Sequence, residues 1–457
     1  MSALASQTIL KDAVQIVPAG QKTRILIVAD NPTASRAAAT SLRGIGFDVL
    51  LCLFDGQTLS STPVKAPDAV LCHLTDYIEM APKIAKVIRT HFAPRQLPII
   101  GALARIVPNI SQEFDSTLFA PMHPTQIANR VGSMIRLGRI EGEITRRLKT
   151  LSNDFNETVE LSDLSPNRRF RVLFIGKASP AFMIIVNAMQ NKGVEVIAAF
   201  TSFSAFDYLH EGEFDAVIMN VLEQSEPALS ISETMRKNSK LYHVPTLFLV
   251  EDDFQDEKLA YKQGARDLIN INAEPEEISS RILELANYHR IHEQMKREMF
   301  SIVPEAYRDT TNTVFSMQFF EKHLSRLVTD AQAADAAVTL LAVKLIPNGT
   351  YELSLEDYAH IQLQASKMIR DMLRMQDIVC RKADAFYLAF YETSEQNTVI
   401  IRDRLVKLLE DSPIQVLSDP SALITLYCQT TIKKVEETET ADRALAILKN
   451  ELEHASV

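Results

Sequence analysis

No apolar run in this sequence approaches the roughly 18–20 residues that a membrane-spanning helix needs. The first residues, MSALASQTILKDAVQIV, carry an acid and lack the basic start and unbroken apolar stretch of a secretory signal. Paired cysteines are missing too. Cys52, Cys72, Cys380 and Cys428 lie far apart, form no C-x-x-C and mostly sit in apolar runs, as reduced core thiols do. Positive charge is in deficit, with a net charge of -10 and a pI near 5.6. That balance argues against a broad grip on nucleic-acid phosphates or anionic membranes, so an anionic ligand must be met locally. Together these absences predict a cytoplasmic protein with no membrane insertion and no nucleic-acid partner.

What is present is ordinary globular material: 46% hydrophobic and 23% charged residues over 457 positions, enough for three domains. TRILIV from Thr23 is a short β-branched run of the kind buried on both faces of a parallel sheet. FDVLLCLF, PDAVLCHL and QLPIIGAL follow, separated by segments with helical apolar spacing. The alternation predicts a doubly wound parallel sheet. After a polar stretch the order returns as FRVLFIG, VEVIAAF, FDAVIMN and VPTLFLV, an internal duplication of about 120 residues.

ISSRILELANYHRIHEQMKREMF, Ile278 to Phe300, reads as an amphipathic helical connector. The remainder opens with the helix-like FSMQFFEKHLSRLV and the strand VTLLAVKLI. A long helix, YAHIQLQASKMIRDMLRM, precedes the hairpin-like IVCRKADAFYLAFYE, and helix, strand and helix close an α+β layer. Expected boundaries are a tail over 1–21, a first module over 22–145, a linker over 146–168, a second module over 169–293, a helical linker over 294–308 and a third domain over 309–457.

The duplicated modules resemble response-regulator receiver domains with their chemistry removed. A receiver holds magnesium on an acidic pair after its first strand, accepts phosphate on an aspartate after its third, and carries a lysine after its fifth. In the first module the acidic pair reads Ala29, Asp30 and the acceptor position is His73, with Leu103 and Ala120 at the hydroxyl and lysine positions. In the second the pair reads Gly176, Lys177, the acceptor is Asn220, and the lysine and proline positions hold Ile271 and Asn272. A histidine at a strand end with no metal cradle reads as structural, so neither module is expected to take phosphate.

The last segment resembles a GGDEF domain, the module that in diguanylate cyclases joins two GTP molecules into cyclic di-GMP. Arg374, Met375, Gln376 and Asp377 stand as the family's R-x-x-D, followed by Arg381, Lys382, Ala383, Asp384, Ala385 and Phe386 in place of R-Y-G-G-[DE]-E-F. Side chains at Lys382 and Ala383 are expected to obstruct the backbone approach that paired glycines allow. Ala385 replaces the acid before phenylalanine, and Val343 and Leu345 stand where the metal aspartates would lie. The guanine-reading asparagine and aspartate have no counterpart in IPNGTYELSLED. Tyr427, Cys428 and Gln429 replace S-x-G, and the opening signature survives only as DTTNTVFS from Asp309.

What the resemblance leaves standing is the inhibitory site, the R-x-x-D that binds the product. An arginine can fork onto guanine or phosphate, and an aspartate can accept from the guanine amide and amino groups. A second arginine reaches this site from the following helix in the family, here Arg404 with Arg402 as the neighbour. Against this stands the bland reading, an exposed ion pair at a helix end. Met368, Met372 and Met375 read as core packing, and Arg168, Arg169 and Arg171 as a solvated strand entrance.

The order of two receivers and a GGDEF domain resembles PleD-type regulators, and within them the PopA type. The resemblance implies a non-catalytic cyclic di-GMP effector with no required cofactor or metal, a homodimer that meets protein partners such as protease adaptors, recruited to a cell pole. A diguanylate cyclase and a ligand-free scaffold are the alternatives.

Overall fold

The computed structural model describes residues 23–57, 59–60, 67–93, 97–105, 113–120, 122–159, 168–222, 225–238, 241–348, 353–419 and 421–454. The tail over 1–21 and parts of the 146–168 linker and of IPNGTYELSLED lie outside them. Two compact units divide the chain: one takes Thr23–Gly138 and 168–294, the other 139–159 and 295–454.

In the first unit the leading module runs β1 (Arg24–Ala29), α1 (Pro32–Ile45), β2 (Asp48–Leu53), β3 (Ala69–Leu74), α2 (Ala81–Phe92), β4 (Ile99–Leu103), β5 (Ser116–Phe119) and α3 (Pro124–Asp154). The strands are parallel in the order β2-β1-β3-β4-β5, the doubly wound arrangement of flavodoxin-like folds. β1, β3 and β4 are buried almost throughout, as continuous apolar runs require. Local chemistry sets the edges of α1. The Asn31 side chain accepts from the amides of Thr33 and Ala34, Pro32 opens the helix, and Gly46 closes it at φ 112°.

The second module repeats the plan: β6 (Phe170–Ile175), α4 (Pro180–Met189), β7 (Val194–Ala199), α5 (Ser202–Glu211), β8 (Ala216–Asn220), α6 (Ser225–Lys237), β9 (Thr246–Val250), α7 (Glu257–Lys262), β10 (Ala265–Asn270) and α8 (Pro275–Ser301). Its parallel order is β10-β9-β8-β6-β7. The second module's own order is thus that of the first.

The modules meet through matching elements. Arg130 and Arg281 are each the seventh residue of the helix after the fifth strand. Arg130 Nη1 donates to Glu284 Oε1 at 2.8 Å and to Ser116 Oγ at 2.8 Å. Arg281 Nη1 donates to Asp267 Oδ1 at 3.2 Å and its Nη2 to the Phe119 carbonyl at 3.3 Å. Glu284 also accepts from the Thr117 amide and hydroxyl, and Gln126 Nε2 donates to Asp267. The result is a buried polar contact between the two modules.

In the second unit, α9 (Met317–Ala333), β11 (Val338–Asn348), α10 (Leu355–Met372), β12 (Ile378–Lys382), β13 (Ala385–Tyr391), α11 (Glu395–Glu410), β14 (Ile414–Gln415), β15 (Leu423–Lys434) and α12 (Ala441–His454) build an antiparallel sheet in the order β12-β13-β11-β15-β14. The period of two along β11 assigns its faces. Leu340 and Ala342 join the core under α9 and α12, while Leu341, Val343 and Leu345 join the core under α10 and α11. The end of α3 belongs to this unit, so the helix continues through the expected boundary at 145/146. There the fully buried Glu143 accepts from Arg147 Nε at 2.8 Å and lies 3.1 Å from His323 Nε2. Among the described residues no helix is long and apolar enough to cross a membrane.

Candidate functional site

The R-x-x-D segment lies in the turn between α10 and β12, not on the last turn of the helix. The Arg374 amide donates to Asp377 Oδ2 at 3.0 Å, and the Asp377 amide donates to the Arg374 carbonyl at 3.1 Å. These reciprocal bonds close a β-turn, and they differ from the exposed side-chain ion pair of the bland reading. Asp377 is 8% exposed while Arg374 is exposed. Burial pushes the Asp377 carboxyl up to about 6, with Glu143 adding to the rise, against the charge and amide of Arg374. A buried acceptor beside an exposed guanidinium is a pair that can read an amide edge and an anion together.

Arg402 and Arg404 both lie on α11. Arg402 donates through Nε and Nη2 to Asp403 Oδ1 at 2.9 and 2.6 Å, and Arg404 is exposed.

β12 and β13 pair Lys382 with Ala385, so the two-residue turn is Ala383–Asp384, and Lys382 ends a strand with an exposed side chain. Ala383 holds φ 55°, a left-handed conformation that glycine adopts without penalty. Asp384 points its carboxylate toward Lys344 at 3.8 Å, and its carbonyl accepts from the Leu345 amide at 3.0 Å. Ala385 and Phe386 are buried opposite Lys344 and Val343. Val343 is fully buried and Leu345 is 5% exposed, both in the core under α10 and α11.

A pair not foreseen from the sequence supports this hairpin. Arg381 Nη2 and Nε meet Asp309 Oδ2 at 2.7 and 2.8 Å, and Arg381 also donates to Thr310 Oγ1, Gln362 Oε1 and the Ala383 carbonyl. The signal was available: Asp309 opens the DTTNTVFS remnant and Arg381 opens the hairpin. Met368 and Met372 pack on the core below α10, and Met375 on the cluster with Phe319, as expected.

At the strand ends of the two parallel modules the polar side chains are held by local bonds. Asp30 accepts from the amides of Thr75, Asp76 and Tyr77 and from the Thr75 hydroxyl at 2.7–2.9 Å. Burial opposes its ionisation, but these donors win and hold the carboxyl low. His73, next to the last residue of β3, is half-buried, its imidazole pushed down by burial against the Asp30 charge. In the second module Asn220 Cβ sits 2.5 Å from where a Cβ on Gly176 would be, and Asn220 bonds Ser179 Oγ and the Leu222 amide. Asn272 donates to Asp252, and Ile271 packs on the module core. Arg168 stays exposed at the strand entrance, as expected, and clamps buried Asp215 through two bonds of 2.9 Å.

No protein-family profile matches the chain, and no curated protein does. Solved structures similar to parts of it include the FimX GGDEF domain from Pseudomonas aeruginosa, at 15% identity over 33% of this chain and 93% of that one, with a TM-score of 0.30. The GGDEF domain of DgcB from Caulobacter crescentus, solved in complex with c-di-GMP, shares 10% over 33% and 90%, with a TM-score of 0.28. A response regulator from Thermotoga maritima shares 21% over 26% and 98%, with a TM-score of 0.24.

Proposed function

We propose that this chain is a cyclic di-GMP effector that binds without turning over GTP, an output protein of the PopA type. The observation that carries the reading is the Arg374–Asp377 turn, a buried acceptor and an exposed forked donor beside a hairpin with Ala385 where the resemblance expects the catalytic acid. The packing of Val343 and Leu345 into the core supports the non-catalytic half of it, because a magnesium site needs carboxylates there. Arg404, or Arg402 after release from Asp403, completes the site. Ligand then bridges this surface to a second arginine-bearing surface, in the chain or in a second copy, and shifts the population that partner proteins such as protease adaptors recognise.

Titration calorimetry with cyclic di-GMP tests the reading. Binding to the full chain that is lost in Arg374→Ala is expected; an absence of heat, or heat unchanged in the variant, overturns it in favour of a scaffold. Steady formation of cyclic di-GMP from GTP and magnesium overturns the non-catalytic half alone.

A further inference from the structure

The first unit carries a second cluster of chemistry-bearing side chains, at the opposite end of the second module's sheet from Asn220. His289, His292 and Glu293 share one face of α8 at the i, i+3, i+4 spacing, and His243 comes from the segment leading into β9. One ligand atom from each of His243, His289 and Glu293 lies within 4.8 Å of the others. His243 Nε2 is 3.2 Å from Glu293 Oε1, His292 Nδ1 is 3.4 Å from the same oxygen, and the His243 and His289 rings stack at 5.3 Å.

The telling residue is His289. It is 7% exposed, and both of its ring nitrogens are buried with no hydrogen-bond partner. A core imidazole almost always satisfies at least one nitrogen, since a buried polar atom left alone costs on the order of 1–3 kcal/mol.

The rotation of α8 that turns His289 inward is fixed by the next residue. Arg290 Nη2 meets Asp215 Oδ2 at 2.8 Å, its Nη1 and Nη2 donate to the carbonyls of Arg168 and Arg169, and its guanidinium lies 3.7 Å over the Phe170 ring.

We propose that His243, His289 and Glu293 bind a divalent transition ion, zinc by donor chemistry, with His292 or a water in the fourth position. Two imidazoles and a carboxylate form a donor set suited to zinc, whereas magnesium and calcium prefer all-oxygen shells. The ion would tie α8 to the segment before β9 and give one of the orphaned His289 nitrogens a partner. This site shares no residue with the nucleotide site, so its test is independent.

The full chain, stripped with a chelator and dialysed, is titrated with zinc chloride, and cobalt chloride provides a spectroscopic stand-in. One bound zinc per chain is expected, with tetrahedral cobalt absorption and a zinc-dependent rise in melting temperature. Roughly tenfold or greater weakening is expected in His289→Gln and His243→Gln, with no change in the exposed control His91→Gln. Should the buried His289 variant fold poorly, Glu293→Gln, at a partly exposed side chain, carries the test through loss of the zinc-dependent melting shift. Absence of zinc binding by the wild type, or affinity unchanged in both His243→Gln and Glu293→Gln, overturns the proposal.

Discussion

Arg381 and Asp309 form a two-point ion pair at 2.7 and 2.8 Å with side chains only 7% and 4% exposed, joining the start of the third domain to its hairpin. Either charge left alone would be buried without compensation. Arg381→Met is expected to cost about 3–5 kcal/mol in urea unfolding of the second unit, and the double variant with Asp309→Leu to recover a large part of that. Equal destabilisation of the single and double variants would show that the pair does not set the hairpin's stability.

The Asp377 carboxyl predicts a pH dependence with a definite sign. Its pKa is raised from 3.8 to about 6 by burial, so the folded chain holds this proton more tightly than the unfolded one. The stability it contributes is complete below the unfolded value and is lost as pH rises through about 6. Relative to the wild type, Asp377→Asn should therefore gain on the order of 1–3 kcal/mol between pH 4 and pH 7. Cyclic di-GMP binding should run the other way. A protonated carboxyl is a poorer acceptor for guanine, so calorimetric affinity falls by up to about tenfold per pH unit below 6.

Glu284 is the hub of the contact between the two receiver-like modules, accepting from Arg130, Ser116 and Thr117. Glu284→Ala leaves Arg130, 5% exposed, without its carboxylate, and should destabilise the first unit by about 3 kcal/mol or more. Glu284→Gln keeps the acceptor oxygen and should cost less. Hydrogen exchange over β5 and α8 reads the difference, with faster exchange in both expected for Glu284→Ala.

In the second module a Cβ on Gly176 would stand 2.5 Å from Asn220 Cβ. Gly176→Ala should lose about 1–3 kcal/mol in thermal unfolding through this overlap. Asn220→Asp returns the acceptor but no metal ligand, because Gly176 and Lys177 still occupy the acidic pair. Intact-mass measurement after acetyl phosphate and magnesium should therefore find neither the wild type nor this variant phosphorylated.

The architecture was legible because hydrophobic periodicity and turn chemistry act locally. The run TRILIV read as a buried parallel strand, and the alternation repeated itself in two modules. The side chains at His73, Asn220, Val343, Leu345 and Ala385 were equally plain, and none of them carries a carboxylate. The local pattern stopped short of the α3 boundary: helical periodicity continues smoothly through residue 145, while the division between units depends on which surfaces the two ends of the helix bury.

Tertiary structure alone decided what the surviving polar groups do. Sequence spacing put Arg374 and Asp377 three residues apart, but only burial under the neighbouring elements turned Asp377 into a raised-pKa acceptor held by a backbone amide. Asp309 and Arg381 are separated by most of the domain's first half, and Arg130 and Glu284 by an entire module, so no local pattern could pair them. The same holds for His243 and His289. Residues on α8 share a face by helical geometry, but the approach of a distant loop depends on how strands and helices close around one core. Secondary structure follows from interactions a few residues long, whereas charge pairing and burial follow from contacts that exist only after the chain has collapsed.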